Sequence, residues 1–456
     1  MRPLLAVLLA GAAALPSSAM AQPIDFAAVQ EQLAAMQAEI ERLTAQVAEL
    51  KAREEARAAA PVPPAAAAPA ATPAPAPAPS PSIAFKGAPE ITAEGGWSFK
   101  PRGRLQVDSA VVDAPGGAGN GLGFGTEFRR VYIGFDGTLP GNFGYRVEAD
   151  LASSGVELTD VYLTYKASKE LTLTAGQQKP FWGLEEMTSD LFTSFMERAA
   201  FNSAFGFERR VGVSGSYAAK NLIVQLGVFA DNAADLNADR NNSYGLDGRV
   251  VFSPKLAGGV LHLGGSAHFR DFNDATNTAR YRARPFAHTT DVRLVDTGLF
   301  SAKGERSFGA ELAFVKGPFH ATLEGHRITA LRPGGLPDPT FWGGYAEVGI
   351  LVTPGDVTAY RGGTYDRIRP KNPVSSGGIG AIQLNARYDR IDLSDGTIVG
   401  GTQQAAGLSA VWIPTEYVRF LVNYGHLWID NAAVPAWADP DDEQVDTVGV
   451  RAQVDF

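Results

Sequence analysis

Val448-Gly449-Val450-Arg451-Ala452-Gln453-Val454-Asp455-Phe456 closes the chain, and its residues divide by parity. Val448, Val450, Ala452, Val454 and Phe456 are apolar, whereas Gly449, Arg451, Gln453 and Asp455 are not. Side chains alternate faces along a strand, so one face is greasy and the other carries charges of both signs. The division recurs upstream. Val131, Ile133 and Phe135 stand against Arg130, Tyr132 and Asp136; Tyr145, Val147, Ala149 and Leu151 against Arg146, Glu148 and Asp150. Leu261, Leu263, Ala267 and Phe269 oppose His262, Ser266, His268 and Arg270. Ile382, Leu384, Ala386 and Tyr388 oppose Gln383, Asn385, Arg387 and Asp389. A soluble sandwich alternates too, but mixed full charges on every polar face suit a water-filled lumen. Apolar-out, polar-in segments of about ten residues mark a transmembrane β-barrel.

Turn signals supply a second argument. Short turns read at 139–142, 167–170, 218–221, 254–259, 316–318 and 414–416. Longer polar connections read at 113–125, 179–208, 231–243, 271–305, 329–340, 394–402 and 430–444. Alternation of the two predicts an all-β, sixteen-stranded antiparallel barrel over 86–456, with 353–376 as the one long connection on the turn side. A cylinder of that strand number has room for a pore rather than a packed anchor.

The remainder of the chain reads differently. Met1-Arg2, an apolar run from Leu4 to Leu15 and Ala19-Met20-Ala21 form a signal peptide over 1–21, predicting export. Over 22–56, Phe26, Leu33, Ile40 and Val47 fill one heptad position, and Val29, Met36, Leu43 and Leu50 another, predicting a periplasmic coiled-coil helix. Residues 57–85 are dominated by Ala and Pro and read as a stiff extended linker. The helix suits trimerisation or periplasmic anchoring. No stretch reaches the ~18–20 apolar residues of a membrane helix. The chain has 456 residues, no cysteine, 50 glycines and a formal charge of −9. Absence of cysteine excludes disulfide scaffolds and thiolate metal sites, and an acidic balance argues against a nucleic-acid partner.

Several stretches together resemble the phosphate-selective porin O and P family. They are FRRVYIGFDG (128–137), YRVEADLA (145–152), LTDVYLTYK (158–166) and LTAGQQKPFWGLEEMTSDLFTSFMERA (173–199), followed by RYRARP (280–285), DRIRPKNP (366–373) and GGIGAIQLNARYDRIDL (377–393). The resemblance covers nearly all of the chain after the linker. It implies a trimeric outer-membrane porin of a Gram-negative bacterium, with long loops narrowing the pore and an arginine ladder leading to a basic constriction. The partners so implied are small anions (phosphate, polyphosphate) and outer-membrane lipid, with no cofactor.

Selectivity in a diffusion channel is set by pore width and lining charge. Arg280, Arg282 and Arg284 fit a ladder, since i, i+2, i+4 spacing aligns three guanidiniums if the segment is extended. Arg129 and Arg130 open a strand at a loop edge, and Arg209 and Arg210 repeat that arrangement. Lys179 and Arg198 belong to the 179–208 connection, the third loop, which porins commonly fold into the lumen. These nine residues are the candidate anion path. The resemblance implies a lysine within the constriction, yet 181–208 has none and carries Glu185, Glu186, Asp190, Glu197 and Glu208 against Arg198 alone. An acidic loop facing an arginine wall also fits a general or cation-tolerant porin, and a structural outer-membrane tether is the alternative from another class. His262 with His268, and His320 with His326, share strand faces at a spacing of about 20 Å, too far for one metal. With no nucleophile or metalloprotease motif, no enzyme is expected.

Overall fold

The structure, a computed structural model, describes residues 81–456 except 115–121, 153–154, 236–242, 274–277 and 434–442, together with residues 42, 45, 48, 49 and 52. Those five are helical and exposed. The signal peptide, the coiled-coil seam and residues 57–80 of the linker lie outside the described residues. The sheet opens with a hairpin of Ser82–Phe85 against Pro89–Ala93, in the last residues of the expected linker.

Sixteen strands then form the barrel: β1 Trp97–Asp113, β2 Gly123–Leu139, β3 Phe143–Asp150, β4 Glu157–Lys166, β5 Leu171–Gln178, β6 Arg210–Ala219, β7 Leu222–Phe229, β8 Tyr244–Phe252, β9 Gly259–Asp271, β10 Gly304–Lys316, β11 Phe319–Leu331, β12 Thr340–Leu351, β13 Ala381–Asp395, β14 Ile398–Thr415, β15 Val418–Asp430 and β16 Glu443–Asp455. Each pairs antiparallel with its chain neighbours. The last pairs back onto the first, from Asp446 opposite Asp113 to Asp455 opposite Arg104. Closure leaves no edge with unpaired backbone groups, which hydrocarbon would not satisfy. Phe456 completes the seam by exchanging backbone hydrogen bonds with Gly103 of 3.0 and 3.2 Å. Its ring covers Gly103, where any side chain would collide with it.

Parity holds as the sequence predicts. Val448, Val450 and Val454 are exposed on β16, while Arg451 and Gln453 are buried. Aromatic residues ring the wall near the turns, with Phe143 on Tyr165 at 5.0 Å and Trp412 on Phe420 at 5.3 Å. Phe269 on Phe308 at 5.6 Å marks the other border. Two such girdles around an apolar band are what a membrane-spanning barrel needs.

Two connections differ from expectation. The segment 394–402 is no long loop: β13 runs to Asp395 and β14 resumes at Ile398. Gly400 and Gly401 fall at a register shift within β14, and Gly396, at φ 60°, makes the tight turn. A further connection at 151–156 separates β3 from β4.

The lumen is not an open tube. The third loop, 179–209, folds inward, with short helices at Leu184–Met187 and Ala200–Ala204. Its Phe201 joins Leu294 and Val295 of the 272–303 loop against Ile328, Phe341, Ile391, Leu393, Leu427 and Ile429 of the inner wall. Charged-in patterning therefore fails at the loop end of β11–β16, because inserted loops rather than water cover that wall. From the turn side, 352–380 also folds in. The Tyr360 hydroxyl meets His262 Nδ1 at 2.6 Å, and that of Tyr365 meets Thr322 Oγ1 at 2.5 Å.

Candidate functional site

Open space inside the barrel lies along β1–β4. There a cavity of about 240 Å³ is lined by Arg129, Arg130, Lys179, Arg198, Arg209 and Arg284, against Glu186, Asp190 and Glu197. Six of the nine candidates thus converge on one space, drawn from β2, the third loop and the 272–303 loop.

Irregularities in the strands explain how neighbours both point inward. Between β1 and β2 the register steps from Gln106 opposite Arg130 to Val107 opposite Phe128, so Arg129 is an extra, bulged residue. A bulge re-aims a side chain, and both arginines of the pair reach the lumen. A matching step between β3 and β4, from Val147 opposite Val161 to Ala149 opposite Leu158, turns Thr159 and Asp160 inward together. Asp160 then accepts a 2.7 Å bond from Arg209 Nε.

The acidic third loop is held by basic partners. Glu197 accepts from Arg129 Nε at 3.0 Å and from Arg451 Nη2 at 2.9 Å. Asp190 lies between Arg130, at 2.5 Å, and Arg104. Glu186 pairs with Lys179 at 2.8 Å, and Glu185 receives Arg387 Nη2 at 2.5 Å. Burial would raise the Asp190 carboxyl, but Arg104 and Arg130 outweigh it and hold the group well below its usual range. Glu197 is lowered against burial in the same way by Arg129 and Arg451. Burial dominates at Lys179 and brings it down to about 8 despite Glu186. At Glu185 burial, helped by Glu324 and Glu347, outweighs Arg387 and lifts the carboxyl to about 7.

The proposed ladder does not form. Arg280 pairs with Asp296 at 2.5 Å on an exposed surface, and Arg282 is exposed in a two-residue strand, Arg282–Ala283. Only Arg284 reaches the cavity, where it also meets Asp291 at 3.1 Å. Asp291 and Asp296, a few residues further along the chain, thus neutralise Arg284 and Arg280. Arg210 is buried away from this cavity, 3.8 Å from Glu208. Its Nε and Nη1 have no hydrogen-bond partner among the described residues.

A ladder of that spacing exists on β1, where sequence reading missed it. Lys100, Arg102 and Arg104 line a second cavity of about 540 Å³ at the turn side, with Arg367 and Arg369 of the 352–380 segment and with Glu148, Glu416 and Asp455. Arg102 pairs with Asp136 at 2.9 Å. Asp190 ties the two spaces together, since Arg130 lines one and Arg104 the other. The signal was present: KPRGR (100–104) carries i, i+2, i+4 cations in a segment with strand parity. The four strand-face histidines all point inward, each beside a carboxylate such as Glu311 for His262, at 2.9 Å.

A closed sixteen-stranded barrel with an apolar belt, loop-narrowed and lined by charge, defines an outer-membrane porin, a channel rather than a catalyst. The family model described as phosphate-selective porin O and P matches residues 99–456, and the chain belongs to that family. It is 43% identical over 384 residues to an uncharacterized protein of Caulobacter vibrioides, covering 82% of this chain and 77% of that one. To Porin O of Pseudomonas aeruginosa it is 27% identical over 383 residues, covering 75% and 86%. The barrel of OmpT, an outer membrane protein of Vibrio cholerae, shares the fold at 11% identity and a TM-score of 0.50, covering 79% of this chain and 98% of that one.

Proposed function

We propose that this porin passes small anions by diffusion, oxyanions such as phosphate and polyphosphate among them, as a homotrimer in the outer membrane. The observation that carries the reading is the cavity beside the third loop, with six cations against three carboxylates. A formal charge of −9 over the chain does not oppose it, because a narrow, low-dielectric passage feels the charges on its own walls. Guanidinium forks match the oxygens of phosphate and carboxylate. The basic turn-side cavity would continue the attraction beyond the narrowest part.

A general porin is the second reading, favoured by the carboxylates that already pair most of these cations. A planar bilayer separates the two. In a potassium chloride gradient the reversal potential is expected on the chloride side, and millimolar phosphate should reduce the chloride current. A cation-biased reversal potential would overturn the anion assignment. Chloride current indifferent to phosphate would remove phosphate alone.

A further inference from the structure

Outward positions on a barrel wall face hydrocarbon, yet β10–β13 carry three arginines there at the loop-side border. Arg306 and Arg327 are exposed, and Arg390 is half-buried. Arg306 stands opposite Thr329 and Arg327 opposite Phe308, which makes the two arginines diagonal neighbours, roughly 7–8 Å apart. Arg327 also stands opposite Trp342, and the Arg390 guanidinium lies 5.2 Å over that indole. Among the described residues none of the three forms an ion pair, and Arg390 Nε is buried without a hydrogen-bond partner. Two carboxylates are close in register, Asp271 diagonal to Arg306 on β9 and Asp392 opposite Trp342, and neither pairs with these arginines. Asp392 Oδ1 is occupied by the Ser394 amide at 3.0 Å and Asp271 Oδ1 by the Asn273 amide at 2.7 Å.

Toward the turn side the wall changes character. Ala310, Gly325 and Gly344 form a row of small residues across three strands. Beyond it Leu261, Leu312, Phe314, Leu323 and Val348 line an apolar groove of about 720 Å³. Arg327 and Leu323 share β11 four residues apart, about 13 Å along a strand. Cations at the border with a greasy channel beneath them fit an amphiphile with an anionic head and acyl tails.

We infer that β10–β13 bind a phosphorylated glycolipid of the outer leaflet, its phosphates on Arg306, Arg327 and Arg390 and its acyl chains in the groove. Long loops face the cell exterior in such barrels, so these arginines lie at the level of that leaflet's headgroups. Charge complementarity selects the occupant: arginine forks recognise phosphate, and neutral lipid would leave three cations unanswered at an apolar border. The site is on the outer wall, independent of the lumen.

Native mass spectrometry of the full chain in detergent tests this, with bisphosphorylated lipid A, its dephosphorylated form and inorganic phosphate as probes. Lipid A is expected to remain bound to the wild type. Arg306→Gln, Arg327→Gln and Arg390→Gln together should weaken that binding at least tenfold, with bilayer conductance unchanged as evidence of an intact barrel. Dephosphorylated lipid should bind no better to the wild type than lipid A does to the triple variant. Equal lipid A binding by both proteins would overturn the proposal. So would retention of inorganic phosphate but not lipid A, pointing to a free anion, or cross-linking between copies of an Arg327→Cys variant, pointing to a subunit interface.

Discussion

Lys179 is the one lysine among the cavity's cations, and burial has brought it down to about 8. It is therefore charged below that value and neutral above it, while neighbouring guanidiniums stay charged throughout. Anion selectivity should fall as pH rises from 7 to 9, as reversal potentials will show. Lys179→Arg should abolish that step at high selectivity, and Lys179→Gln should abolish it at low selectivity. Asp190 works in the opposite direction, since it neutralises Arg104 and Arg130 together. Asp190→Asn should shift the reversal potential further toward chloride and slow anion release, measured as deeper phosphate block. Legibility at this scale depended on context. Arg280, Arg282 and Arg284 had the spacing of a ladder but not the flanking alternation of a strand, and Asp291 and Asp296 answered two of them. Lys100, Arg102 and Arg104 had both. The inward turn of Arg129 required a bulge, and one extra residue opposite a partner strand leaves no periodic trace within its own strand.

The third loop is held to the wall through buried charge. Arg387 binds Glu185 at 2.5 Å and Glu347 at 2.6 Å, while Asp389 accepts the Ala200 amide at 2.8 Å. Removing Arg387 takes away the cation that Glu185 and Glu347 share, and breaking such a buried pair costs about 3–5 kcal/mol. The strand ladders still close the barrel, so the loss falls on the loop. Arg387→Ala should give larger, noisier single-channel currents from a protein that keeps its folded mobility on unheated gels. Acid should not have the same effect. Asp190 and Glu197 are lowered in the fold, so their stabilisation is present above ordinary carboxylate values and is lost only as pH falls through the depressed ones. Glu185 is raised to about 7, so its protonated form suits the folded site better and acid does not weaken the fold through it. Single-channel current at pH 5 should therefore stay as quiet as at pH 7. Strands were legible because one face meets lipid and the other water. The third loop was legible only as an interval between strands, because its contacts lie on β1, β2, β11 and β13–β16, far away in sequence.

Across the whole molecule, barrel size and pore size are separate quantities. Sixteen strands enclose a wide cylinder, but two loops and the 352–380 segment occupy much of it, and the open space follows β1–β4. Length of the 352–380 connection was legible in the sequence, whereas its inward fold was not, since Tyr360, Tyr365 and Arg367 look like any polar turn until opposed to His262, Thr322 and Asp455. The division of labour can be tested by shortening that segment to a tight turn between Thr353 and Gly380. Two basic residues of the turn-side cavity, Arg367 and Arg369, leave with it, but Lys100, Arg102 and Arg104 remain on the wall. Conductance should rise severalfold while the reversal potential stays on the chloride side, because the charges that steer anions belong to the barrel. Replacing Lys100, Arg102 and Arg104 with Gln in the full-length chain should do the reverse, lowering anion selectivity with little change in conductance. Both selectivities should converge near 1 M salt, where the screening length shrinks to about 3 Å and wall charges act only on ions that touch them. If the shortened channel instead turned cation-selective, the inserted segment and not the wall would carry the sign of the pore.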